Sequence, residues 1–107
     1  LMERIMKVIN QHISEPEFNV EALTREVGIS RAQLHRKMKE MTGISAGEFI
    51  RNLRLEQAAR LIAEGNINIT QVAFAVGFNN QTHFSTVFKK HYGMTPTEYS
   101  ERNHLKQ

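Results

Sequence analysis

Three observations predict an all-α fold of seven helices, arranged as two helix-turn-helix subdomains joined by a long connecting helix. The first is an internal repeat. Residues 68–99, NITQVAFAVGFNNQTHFSTVFKKHYGMTPTEY, restate residues 19–49, NVEALTREVGISRAQLHRKMKEMTGISAGEF. A shift of 49 lays Asn19 on Asn68, Leu23 on Val72, Val27 on Val76 and Gly28 on Gly77. With one extra residue at Asn79, a shift of 50 lays Leu34 on Phe84, Met38 on Phe88, Gly43 on Gly93 and Phe49 on Tyr99. Two copies with different neighbours make a duplicated module rather than a solenoid. The second observation is that each copy reads as a short helix, a glycine-containing turn and a second helix, the pattern whose second helix enters the major groove of DNA. The third is the uninterrupted helical pattern between the copies. The implied division is 1–44, 45–64 and 65–107, within a single DNA-binding domain.

Taken in order, residues 2–13 place Ile5, Val8, Ile9 and Ile13 on one face of an amphipathic helix. The run Ser14, Glu15, Pro16, Glu17 breaks it. This helix starts with the chain and has no cap before it, so the chain is expected to be a piece of a longer protein. Phe18 is expected to pack beneath the first motif, whose opening helix starts near Asn19 and turns Val20, Leu23 and Val27 inward. Gly28 can take the positive φ of a helix stop, and Ser30 caps the next helix. At about 100° per residue, Leu34, Met38 and Met41 fall on the buried side of that helix. Ala32, Arg36 and Lys39 lie opposite them, with Arg31 and His35 on a flank. Charged helix faces are most often merely solvated, but here the basic face belongs to the second helix of a helix-turn-helix.

Gly43 ends this element, and a helix over 45–64 follows, with Phe49, Ile50, Leu53, Ala58, Leu61 and Ile62 apolar and Gly65 as its stop. About 20 residues at 1.5 Å rise span roughly 30 Å, close to the turn of B-DNA at about 34 Å. In the later copy Ile69, Val72, Ala73 and Val76 share a face and Gly77 ends their helix. Asn80 caps the next, which buries Phe84, Phe88 and the ring of His91. Its free face offers Gln81, Thr82, Ser85 and Thr86, short hydrogen-bonding side chains suited to base edges. Lys89 and Lys90 near its end suit phosphates. Pro96 opens a last helix to about residue 103, and residues 104–107 are expected to fray.

Composition narrows the function. With no cysteine, disulfides and thiolate chemistry are excluded, and the chain suits a reducing compartment. No apolar run approaches membrane-spanning length, so no membrane contact is expected. The net charge of +3 is weak evidence by itself. Its distribution is more telling: residues 30–60 carry seven basic and three acidic side chains, whereas residues 1–29 carry three and five. The five histidines have no carboxylate partners at metal-ligand spacing, and no glycine-rich phosphate loop is present. An enzyme is therefore not expected, and no cofactor is implied. His35 alone is a candidate contact. The phosphate candidates are Arg31, Lys37, Lys39, Arg51, Arg54, Lys89 and Lys90. The competing reading is a helical protein–protein interaction module whose basic face meets an acidic partner.

Gly77-Phe78, Phe84, Phe88-Lys89, Gly93, Pro96 and Tyr99 resemble the signature of AraC-type transcription regulators, and the likeness runs from about residue 2 to residue 103. The resemblance implies double-stranded DNA as partner, RNA polymerase as a further one, a cytoplasmic location and a sensory or dimerisation domain outside this chain. Base-reading positions carry over to Ala32, His35 and Arg36, and to Gln81, Thr82 and Thr86. Two departures stand out. Ala32 is small where some relatives have a large side chain, so contact there is either lost or limited to a thymine methyl. Ser100 follows Tyr99 where the family often has arginine. Residues 41–62 also resemble the output domains of large hybrid two-component sensors.

Overall fold

The computed structural model describes residues 1–105. Seven helices follow one another: α1 (Met2–His12), α2 (Val20–Val27), α3 (Arg31–Thr42), α4 (Ala46–Glu64), α5 (Ile69–Ala75), α6 (Gln81–Tyr92) and α7 (Pro96–Leu105). Their starts are set by side-chain caps that recur with the repeat. Asn19 accepts from the Ala22 amide and Asn68 from that of Gln71. Ser30 and Asn80 cap α3 and α6, and Ser45 and Thr95 cap α4 and α7. Each oxygen satisfies an amide left orphaned by the first helical turn. The duplication is therefore written in caps as well as in apolar positions.

The molecule is elongated, 45 × 23 × 23 Å, because it holds two cores in a row. The first gathers Ile5, Ile9, Phe18, Leu23, Leu34 and Met38 with Ala46 and Ile50 from the start of α4. The second gathers Val72, Ala73, Val76, Phe78, Phe84 and Phe88 with Leu55, Ala58, Ala59 and Ile62 from the rest of α4. The long helix is thus a wall shared by both halves rather than a bare spacer. Its 19 residues span about 28 Å at 1.5 Å per residue.

The two cores are filled differently. Where the first has Ile29, Leu34, Met38 and Phe49, the second has Phe78, Phe84, Phe88 and Tyr99, and these rings meet one another in a chain. Phe78 to Phe84 is 5.1 Å, Phe84 to Phe88 5.6 Å, Phe88 to Tyr92 4.7 Å and Phe88 to Tyr99 5.5 Å between ring centres. Such separations lie in the favourable range for tilted and edge-on pairs.

Three expectations are corrected. Met41 is 53% exposed, because the last turn of α3 runs beyond the core that ends at Met38. His91 is exposed and meets Tyr92 edge-on at 4.7 Å. Tyr92 takes the inward place, its hydroxyl reaching the Leu55 carbonyl at 3.5 Å, the outer limit of a hydrogen bond. Finally, α7 continues through His104 and Leu105 instead of fraying there. Lys106 and Gln107 lie outside the described residues. No helix among the described residues is long and apolar enough to cross a membrane.

Candidate nucleic-acid interface

Helix α3 buries Leu34 and Met38 and leaves Arg31, Ala32, His35, Arg36 and Lys39 exposed, with Lys37 half-buried. Its entry is fixed by a reciprocal capping box in which Ser30 and Gln33 each accept from the other's backbone amide. Arg31 approaches Glu21 at 3.5 Å, with both side chains largely exposed. Such a pair is worth little in water and gives way to a phosphate at small cost. Arg36 is exposed, and among the described residues no hydrogen bond or ion pair engages its guanidinium.

Val20 of α2, Arg31 and Ala32 of α3, and Ala46 and Gly47 of α4 are first-turn residues of their helices, and all line one open depression of about 490 Å³ with His35 and Ser45. Three helix N-termini with their partial positive charge therefore converge beside the basic face of α3. Sequence reading did not single out this convergence. The recurring caps Asn19, Ser30 and Ser45 were its available signal.

Helix α6 buries Phe84 and Phe88 and exposes Gln81, Thr82, Thr86, Lys89 and Lys90, while Ser85 is half-buried. These residues are not equally free. Thr86 donates its hydroxyl to the Thr82 carbonyl at 3.0 Å, one turn back. Gln81 accepts at Oε1 from the Thr70 hydroxyl of α5 at 2.8 Å, which leaves its amide NH₂ to face outward as a donor. Thr70 was not among the expected site residues, and its pairing across the turn is invisible to helical periodicity. Arg51 of α4 is exposed and borders the grooves that α4 forms with the start of α2 on one side and with α6 on the other.

Arg54 is corrected outright as a free phosphate contact. Its Nε donates to the Ile13 carbonyl at 2.9 Å, and its Nη2 donates to those of Glu15 at 2.9 Å and Phe18 at 3.2 Å. Burial lowers its pKa from the ordinary guanidinium value, which would be unusual for a side chain held out to solvent.

Two faces of short helices are thus displayed from opposite stretches of one shared helix. A family model described as a helix-turn-helix domain matches residues 23–102. The chain belongs to the AraC-type helix-turn-helix family. That family consists of DNA-binding transcription regulators, not enzymes. Among curated relatives, the histidine kinase P4 of Formosa agariphila is 35% identical over 102 residues, which are 95% of this chain and 7% of that protein. The AraC-type chain spans about a third or less of the length of the first curated relatives it matches. Among solved structures, the C-terminal domain of the response regulator AraT from Geobacillus stearothermophilus superposes with a TM-score of 0.88 at 31% identity. The match covers 94% of this chain and 83% of that one. The DNA-binding domain of AdpA, solved in complex with a target DNA, reaches a TM-score of 0.91 at 23% identity, covering 98% of this chain and 94% of that one. At that identity it bears on the fold alone.

Proposed function

We propose that this AraC-type chain is the sequence-specific duplex-binding unit of a larger transcription regulator, with α3 and α6 lying in successive major grooves on one side of the DNA. The observation that carries this reading is the pair of polar helix faces mounted on one rigid wall. The wall, about 28 Å long, is commensurate with one turn of B-DNA at about 34 Å.

The roles follow from the chemistry of each side chain. Arg36 reads guanine, since its fork can donate to O6 and N7 together. His35 offers one further ring nitrogen to a base edge, and Ala32 a methyl to thymine. In the second groove Gln81, Thr82, Ser85 and Thr86 give softer preferences through single hydrogen bonds. Arg31, Lys37, Lys39, Arg51, Lys89 and Lys90 neutralise phosphates. The hybrid-sensor reading is supported by the kinase relative, of which this chain matches 7%. On that reading the sensory or dimerisation domain lies elsewhere in the full protein, and bound DNA in the cytoplasm brings the unit within reach of RNA polymerase.

Selection of bound sites from random duplexes, followed by titration of the winner against scrambled DNA, tests the proposal. A preference of about 10³-fold or more at moderate salt is expected of a specific site. Equal affinity for both duplexes, or none for either, would leave the basic face to an acidic protein partner.

A further inference from the structure

The halves share α4, and among the described residues no broad helix–helix packing joins α1–α3 to α5–α7. Away from α4 they meet closely at a joint built on Arg54. This residue sits at the changeover of α4, between Leu53, packed on the first core, and Leu55, buried in the second. Its three accepting carbonyls, at Ile13, Glu15 and Phe18, belong to the segment linking α1 to α2. The α5–α6 turn is laid against the same bond. A β-carbon added to Gly77 would stand 2.7 Å from the Ile13 oxygen and 2.8 Å from Arg54 Nε.

The repeat supplies its own control. Gly28 occupies the equivalent position in the earlier copy with φ 82°, against 102° at Gly77, yet a β-carbon on Gly28 would meet nothing within 4 Å. Both glycines serve the left-handed conformation of a helix stop. Only Gly77 also serves a close approach. Conformation was duplicated, and the contact was not.

We propose that Arg54 and Gly77 form the joint that fixes the angular phase between the two helix-turn-helix motifs, and with it the spacing of half-sites that the protein accepts. The step from phase to spacing rests on the DNA-binding reading above. A planar guanidinium held by three carbonyls has little freedom to tilt, and leaving any of those groups unpaired in a partly buried site is unfavourable. Consecutive base pairs differ by about 3.4 Å of rise and by about a tenth of a turn. A loosened joint therefore tolerates a shift that a rigid one rejects. Arg54 is a positioning residue here, touching no base.

Since the chain has no cysteine, spin labels on Glu40→Cys in α3 and Glu101→Cys in α7, both exposed positions, report the distance between halves without DNA. Arg54→Met and Gly77→Ala should widen that distance distribution about twofold, as a hinge freed of its contacts does. Gly28→Ala, which also places a side chain at positive φ but meets no neighbour, should leave the width unchanged. On DNA, one base pair inserted between half-sites should weaken the unaltered chain about tenfold, the scale of one lost base contact. The Arg54→Met chain should lose less than about threefold. Arg54→Lys, which keeps the charge without the fork, should follow Arg54→Met and serves if the methionine variant does not fold. An unchanged width together with an unchanged spacing penalty in folded variants overturns the proposal. If the unaltered chain binds no duplex, the DNA reading fails while the spin-label distances still decide the joint.

Discussion

At the scale of single residues, reading and holding DNA are separable tasks, and the two motifs divide them differently. Arg36 has both donors of its fork available, so Arg36→Ala should cost about 1–3 kcal/mol on the best site and relax preference at one or two base pairs. Lys89 meets no base in this reading. Lys89→Ala should weaken all sequences alike, since a phosphate contact carries no base information. Titration of both variants against single-base operator changes separates these outcomes, and an exchange of the two behaviours would reverse reader and anchor. Gln81 gives a finer test. With Oε1 occupied by Thr70, its outward NH₂ suits an acceptor such as guanine O6 or thymine O4. Thr70→Val frees the whole amide, and the preferred base beneath it should move towards adenine, which needs donor and acceptor together. An unmoved preference would mean that Thr70 does not orient this side chain.

At the scale of elements, the boundaries were legible because they are chemical. Asn19, Ser30, Ser45 and Asn80 each have an oxygen aimed at an orphan amide, and each was recoverable as a short polar residue ahead of an apolar period. What was not legible is which neighbour covers a side chain. Helical spacing allows both His91 and Tyr92 to follow Phe88 inward, and packing against Leu55 and Tyr99 selects Tyr92. Met41 has the right angle to be buried and no partner to bury it. Arg54 carries the same charge as Arg51, three positions earlier, and only the carbonyls of a loop some 40 residues away turn it from a surface cation into a strap. The start of α7 offers an element-scale prediction. Backbone and side-chain hydrogen bonds with Thr95 hold the Glu98 carboxyl below its ordinary pKa. A depressed folded pKa means that this contribution is present above the unfolded carboxylate range and is lost as pH falls through the folded value. Thermal melts from neutral to acid pH should show Glu98→Gln losing part of the acid dependence of the parent chain. Identical slopes in the two proteins would remove the cap from the pH response.

At the scale of the whole molecule, the repeat predicted two motifs and a connector, and the structure adds that the connector is also the floor of both cores. The unequal cores, aliphatic in one half and aromatic in the other, were visible as Leu34 and Met38 against Phe84 and Phe88. Charge gives a global test. If about four or five of Arg31, Lys37, Lys39, Arg51, Lys89 and Lys90 neutralise phosphates, log affinity should fall with log salt at a slope of about −4. A slope near zero would mean that the duplex backbone is not what holds the protein. Arg54→Met should leave that slope unchanged, because its guanidinium is already committed to carbonyls.

The most direct measurement is a footprint of the chain at single-nucleotide resolution on its selected site, with stoichiometry read in parallel. One copy should protect guanines and thymines in two major-groove segments about one helical turn apart, on one side of the duplex. The two segments should differ in sequence, with a guanine under α3. A single protected segment, or binding only as a dimer to an inverted repeat, would contradict two recognition helices acting from one chain.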